Sequence, residues 1–233
     1  RNLASADDRA ELAALWGIPA IPEQAGKTAV ELFDAVLDGS IKAVWIAFTN
    51  PAHSLPDLNR VREALETAEF VVVQDAWGDT ETTAFADLIL PAATWGEKDG
   101  TVTNSERRIS RVRAAVSAPG EARHDWKIAV DFAHCLEAMG IGAERANGIG
   151  SEFRTIASEA THNADRISAL TPVAEHPESH HAGKQSLFPY QTPEQIWQEH
   201  RESTLGRTLD IRGLPSQQLE TEGPHKWPLK TAT

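Results

Sequence analysis

The stretch AVWIAFTNPAHSLPDLNRVREALETAEFVVVQDAWGDTETTAFADLILP, residues 43–91, decides the fold. Its first six residues, Ala43, Val44, Trp45, Ile46, Ala47 and Phe48, are a short apolar run bounded by polar turn residues, the pattern of a strand buried on both faces. From Leu55 onward, a Pro-Asp pair opens a helix whose apolar positions Leu58, Val61 and Leu65 share one side. A second strand run, 70–73, ends in Gln74-Asp75, and a third, 87–90, ends in Pro91. Strands separated by helix-length connections read as a right-handed parallel α/β sheet.

Working outward, Val30, Leu32, Phe33, Val36 and Leu37 fall at helical spacing over 28–39, with Gly39 as the stop. On the other side, 125 to about 139 reads as an amphipathic helix with Trp126, Ile128, Ala129, Phe132 and Leu136 inward and Cys135 as a small core residue. Residues 28–140 therefore form a doubly wound, Rossmann-like, mainly parallel α/β unit within a first domain of 1–140. Composition changes after Gly140. RISALTPVAEHPESHHAGKQSLFPYQTPEQ, 166–195, has no sustained period, so 141–192 reads as a loop-rich linker. A short helix near 193–203, with Ile196 and Trp197 apolar, opens an irregular C-terminal extension to 233.

Composition removes several functions. With 41% hydrophobic residues among 233, one domain with appended segments is expected. The balance of 22 basic against 34 acidic residues, net −12, argues against nucleic acid as a partner. A single cysteine, Cys135, can form neither an internal disulfide nor a Cys-x-x-Cys pair and cannot hold an iron–sulfur cluster alone. No apolar run approaches the roughly 20 residues that span a bilayer, so no membrane and a cytoplasmic location are expected. The one methionine is Met139, which suggests a processed product or a piece of something longer.

In an open α/β sheet, ligands bind beyond the carboxyl ends of the strands. Polar, small and turn-forming residues gather there: 49–54 after the first strand, Gln74-Asp75 and 78–82 after the second, 91–100 after the third. Such loops also simply reverse chains. Gln74-Asp75 favours a ligand, because a carboxylate just after a buried strand can accept paired N–H donors from a purine or a ribose hydroxyl. GxGxxG and GxxxxGK[ST] are both missing, which argues against an ordinary dinucleotide fold and an ATPase. In 97–113, EKDGTVTNSERRISRVR, basic residues dominate; the run fits a solvated face, a phosphate-bearing ligand or an acidic neighbouring surface. Lys98, set between Glu97 and Asp99 beside a glycine turn, favours function. His176, His180 and His181 lack a ligand framework and read as incidental, as do His53, His124 and His134.

The segments TNPAHSLPD at 49–57, VVVQD at 71–75, ADLILPAATWGEKDGTVTNSERR at 86–108 and APGEARHDW at 118–126 together resemble the molybdopterin oxidoreductases, and within them the assimilatory nitrate reductases. LFPYQTPEQIWQEHRESTLGRTLDIRGL at 187–214 and GPHKWPL at 223–229 resemble the stretch leading to that family's C-terminal domain. The resemblance implies the family's third, α/β domain, which holds the guanosine end of one of two molybdopterin guanine dinucleotides around molybdenum. It implies cofactor-binding roles for Asn50, Gln74, Asp75, Lys98 and Asp125, with no catalytic residue and no metal ligand in this chain; spacing alone offered Asp125 only as a helix start. It further implies a 4Fe-4S cluster bound outside this chain, nitrate as substrate, and an electron donor: ferredoxin, flavodoxin or a nicotinamide-dependent reductase. Alternatives are a formate dehydrogenase or periplasmic nitrate reductase of the same family, and a non-catalytic α/β binding module.

Overall fold

Three parallel strands frame the computed structural model, which describes residues 2–141 and 186–229. They are β1 (Ala43–Ala47), β2 (Phe70–Asp75) and β3 (Leu88–Pro91), in the order β1-β2-β3, with Val44 level with Val71 and Val73 level with Ile89. The chain enters through α1 (Ala6–Trp16) and α2 (Ala29–Leu37). In α2, Thr28 and Glu31 form a reciprocal capping box, which supplies two partners to the otherwise unbonded first turn. Between β1 and β2 run α3 (Pro51–Ser54) and α4 (Leu58–Thr67); between β2 and β3 there is only a short 3-10 turn, Thr83–Phe85.

The core lies between the sheet and α2 and α4. Phe33 and Val36, Val61, Ala64 and Leu65, and the strand residues Val44, Ile46, Val71 and Val73 are all buried there. The α/β class and the parallel sheet thus follow the hydrophobic pattern. The expectation that β1 is buried on both faces fails at Trp45, which is 37% exposed on the opposite face. That face is covered only in part by α5 (Asp125–Ala138), whose Phe132 meets Trp45 edge-on at 4.9 Å. Partial cover also corrects the inward side of α5. Ile128 is buried as expected, but Val130 and Ala133 join it, while Ala129, Phe132 and Cys135 are exposed.

The basic run of 97–113 becomes a hairpin rather than part of the parallel layer. β4 (Gly100–Thr103) pairs antiparallel with β5 (Arg108–Val112) across a turn in which the Asn104 side-chain oxygen accepts from the Glu106 and Arg108 N–H groups. The C-terminal extension completes this unit: α6 (Pro193–Glu202) is the expected short helix, and the tail after it, expected to be irregular, forms α7 (Ser216–Thr221) and β6 (His225–Lys226), the last paired with β5. Ile109, Trp197, Ile211, Leu214 and Leu219 form its separate core. The arginines of the hairpin meet an acid of the chain itself. Arg111 donates to Glu220 at 2.8 Å and to the Gly100 and Val112 carbonyls, Arg113 pairs with the same Glu220, and Arg107 lies 5.4 Å over the Trp227 ring. Arg107 and Arg113 stay exposed to solvent, as a solvated face would be.

Residues 142–185, including His176, His180 and His181 and most of the expected linker, lie outside the described residues. Among the described residues no helix is long and apolar enough to cross a membrane.

Candidate functional site

The carboxyl ends of β1, β2 and β3 lie side by side because the strands are parallel and in register, so their following loops share one crest. The ladder runs one residue past β1, where the Phe48 N–H donates to the Gln74 carbonyl at 3.0 Å. Phe48 holds φ at 63°, a conformation costly for a bulky residue, and its ring is 65% exposed.

At the end of β2, Gln74 is 2% exposed and its amide nitrogen lies 3.4 Å from the Asp125 carboxylate, a long hydrogen bond. Asp125 opens α5 and receives the Lys98 ammonium at 2.7 Å. Lys98 also sits 5.5 Å from the centre of the Trp95 ring, which fixes the ammonium from a second side. Three of the five residues singled out in sequence, Gln74, Lys98 and Asp125, are therefore joined through one carboxylate, although 51 and 27 positions separate the partners of its two bonds. Asp75 follows Gln74 directly; one of its oxygens accepts the Trp77 N–H at 3.0 Å in a local turn, and among the described residues the other makes no hydrogen bond or ion pair. His124 Nδ1 and Trp126 Nε1, on either side of Asp125 in the chain, are buried without a hydrogen-bond partner among the described residues.

Asn50 belongs to a different network. It precedes α3 but does not cap it with its side chain. Its Oδ1 accepts from the Thr82 N–H at 3.2 Å and the Thr82 hydroxyl at 2.6 Å, and its Nδ2 donates to Glu81 at 2.7 Å. His53 faces the other Glu81 oxygen at 3.1 Å. Asn50 thereby holds the Glu81 carboxyl below its ordinary range, with the backbone and His53 adding to the effect. Glu81 and Thr82 were legible in sequence only as crest-loop residues. No periodicity marks a bond that spans 32 positions.

A family model described as molybdopterin oxidoreductase matches residues 4–134, more than half of the chain. The chain belongs to the molybdopterin oxidoreductase family. Among curated relatives, a nitrate reductase of Klebsiella oxytoca is 51% identical over 137 residues, 59% of this chain and 16% of that protein. The assimilatory nitrate reductase catalytic subunit of Bacillus subtilis is 31% identical over 98% of this chain and 26% of its own length. A periplasmic nitrate reductase of Desulfovibrio desulfuricans is likewise 31% identical, over 98% of this chain and 25% of its own. The chain thus spans between 16% and 26% of the length of these relatives.

The crest of this molybdopterin oxidoreductase segment gathers hydrogen-bond donors and acceptors in one place. Lys98 and Gln74 are donors and the Asp75 and Asp125 carboxylates are acceptors, all carried by β2, the loop after β3 and the start of α5. A purine edge that offers N–H groups beside a carbonyl needs both polarities within a few ångströms.

Proposed function

We propose that this chain is the cofactor-binding α/β segment of a molybdenum nitrate reductase that reduces nitrate to nitrite in nitrate assimilation. The observation that carries the reading is the convergence of Gln74, Lys98 and Asp125 at the end of β2, next to Asp75. These residues and Asn50 hold the guanosine end of a molybdopterin guanine dinucleotide. Asp75, with one oxygen uncommitted among the described residues, accepts N–H groups of the base or a ribose hydroxyl, while Lys98 donates to its carbonyl or a ring nitrogen and the buried Gln74 holds Asp125 in place. The molybdenum centre, when bound, supplies the two-electron oxygen-atom transfer; the chain supplies binding and orientation and contributes no catalytic group. A 4Fe-4S cluster and an electron-donor protein (ferredoxin, flavodoxin or a nicotinamide-dependent reductase) complete the reaction outside these residues.

NSERRISRVR at 104–113 supports the assimilatory, cytoplasmic branch. The relative of equal identity in Desulfovibrio desulfuricans favours a second reading, a periplasmic nitrate reductase, and fractionation of cells producing the enzyme separates the two. The binding role is tested by Asp75→Ala in the enzyme that contains this segment. Removing a charged hydrogen-bond partner costs about 1.5–3 kcal/mol, so molybdenum content and nitrate reduction are expected to fall together by roughly tenfold or more. Unchanged molybdenum loading overturns the assignment.

A further inference from the structure

Asn50 is locked more completely than a turn residue needs to be. The backbone N–H of Thr82 can face only an acceptor, which fixes Oδ1 toward Thr82 and Nδ2 toward Glu81. Oδ1 then accepts two bonds and is saturated, while Nδ2 spends one of its two hydrogens on Glu81. Thr82 is fully buried; its hydroxyl gives its only hydrogen to Asn50 and accepts the Ala52 N–H at 3.1 Å. Glu81 is held in turn by His53, and the Asn50 carbonyl accepts the Ser54 hydroxyl at 3.0 Å. Backbone and side chain of Asn50 are therefore both fixed at the crest, with a single side-chain N–H left over among the described residues.

We propose that Glu81 and Thr82 are positioning residues that set the Asn50 amide as a one-hydrogen donor, so that the cofactor atom Asn50 meets is an acceptor: a carbonyl, a ring nitrogen, or a ribose or phosphate oxygen. The proposal rests on the reading that Asn50 contacts the dinucleotide. It adds how the amide is oriented and what polarity of group it recognises. A tie that merely joined the loop after β2 to the loop after β1 would serve stability alone and would leave cofactor retention indifferent to the orientation of the amide.

The test measures molybdenum per polypeptide, and guanosine monophosphate released by acid hydrolysis, in the purified enzyme carrying this segment, together with the melting temperature of each variant. Asn50→Ala and Thr82→Val are each expected to lower both contents about tenfold, the scale on which partners behind a ligand-bearing side chain act. Thr82→Ser, which keeps the hydroxyl, is expected to restore loading to within about twofold of the parent. In the Asn50→Ala background, Thr82→Val is expected to lower loading no further, because its effect passes through Asn50. Asn50→Asp, which has the same shape but no N–H, is expected to behave as Asn50→Ala. Full loading of Asn50→Ala overturns the contact itself and the proposal with it. Loss in Asn50→Ala with full loading in Thr82→Val leaves the contact standing and overturns the positioning role, as does a further loss in the double variant. Full loading of Asn50→Asp overturns the acceptor assignment. Should Thr82→Val fail to fold, Glu81→Ala against Glu81→Gln decides: loss in the first and recovery in the second, whose amide oxygen still accepts from Asn50, supports the proposal, and equal loading in both overturns it.

Discussion

Asp125 shows how one side chain organises a surface. With 26% of its side chain exposed, and 27% of that of Lys98, the pair is shielded enough that either charge left alone would be poorly solvated. It is thus better read as a means of fixing geometry than as a source of stability. Asp210 shows a different role. It is 2% exposed, and the Arg212 guanidinium beside it, together with backbone N–H groups, holds its carboxyl down to about 2 from an ordinary 3.8. A depressed folded value means that the carboxylate contributes stability above the unfolded value and loses it as pH falls through the folded one. Melting temperature followed against pH is therefore expected to drop between about pH 4 and about pH 2, and Asp210→Asn to make that drop shallower while lowering stability at neutral pH. An acid slope unchanged by the substitution contradicts this role.

At the scale of elements, what was legible in the sequence is what apolar spacing encodes. The three parallel strands, α2, α4, α5 and α6 all carry continuous or 3.6-residue apolar patterns and all form over those residues, although Trp45, Leu88, Ile89 and Phe132 stay exposed where the patterns point them inward. The β4–β5 hairpin was hidden because its residues are mostly charged or hydroxylic and its one buried residue, Ile109, has partners more than 80 positions away in the tail. The helix α1, capped by Ser5 and closed by Gly17 at φ 64°, has a weak apolar face with only Ala13 buried, so its charge masked it. The same limit applies at the crest. Gln74-Asp75 and Lys98 could be picked out from strand ends and turns, whereas the bonds of Asn50 to Glu81 and Thr82 depend on two loops meeting in space. The tail core makes its own prediction. Leu214 is fully buried and its carbonyl accepts the Trp197 indole N–H at 3.2 Å, so Leu214→Ala is expected to cost about 2–5 kcal/mol in denaturant unfolding followed by tryptophan fluorescence. A change below about 1 kcal/mol would show that the tail does not fold against β5.

For the whole molecule, three exposed aromatic rings mark the same end of the sheet: Phe48 after β1, Trp77 after β2 and Trp95 after β3, at 65%, 71% and 63% exposure. The Trp95 ring beside Lys98 gives that end a mixed apolar and charged character. Lys98 is held at this crest by Asp125 and Trp95, and the chain's net charge of −12 argues against a nucleic-acid backbone as its partner. We propose that the strand ends of this molybdopterin oxidoreductase segment hold the guanosine end of the cofactor. Diffraction from crystals of the molybdenum-loaded enzyme tests it most directly. The guanine ring is expected within hydrogen-bond distance, about 2.7–3.2 Å, of Asp75 and of Lys98 or Asp125, with an acceptor atom facing Asn50 Nδ2; guanine density away from the ends of β1, β2 and β3 contradicts it.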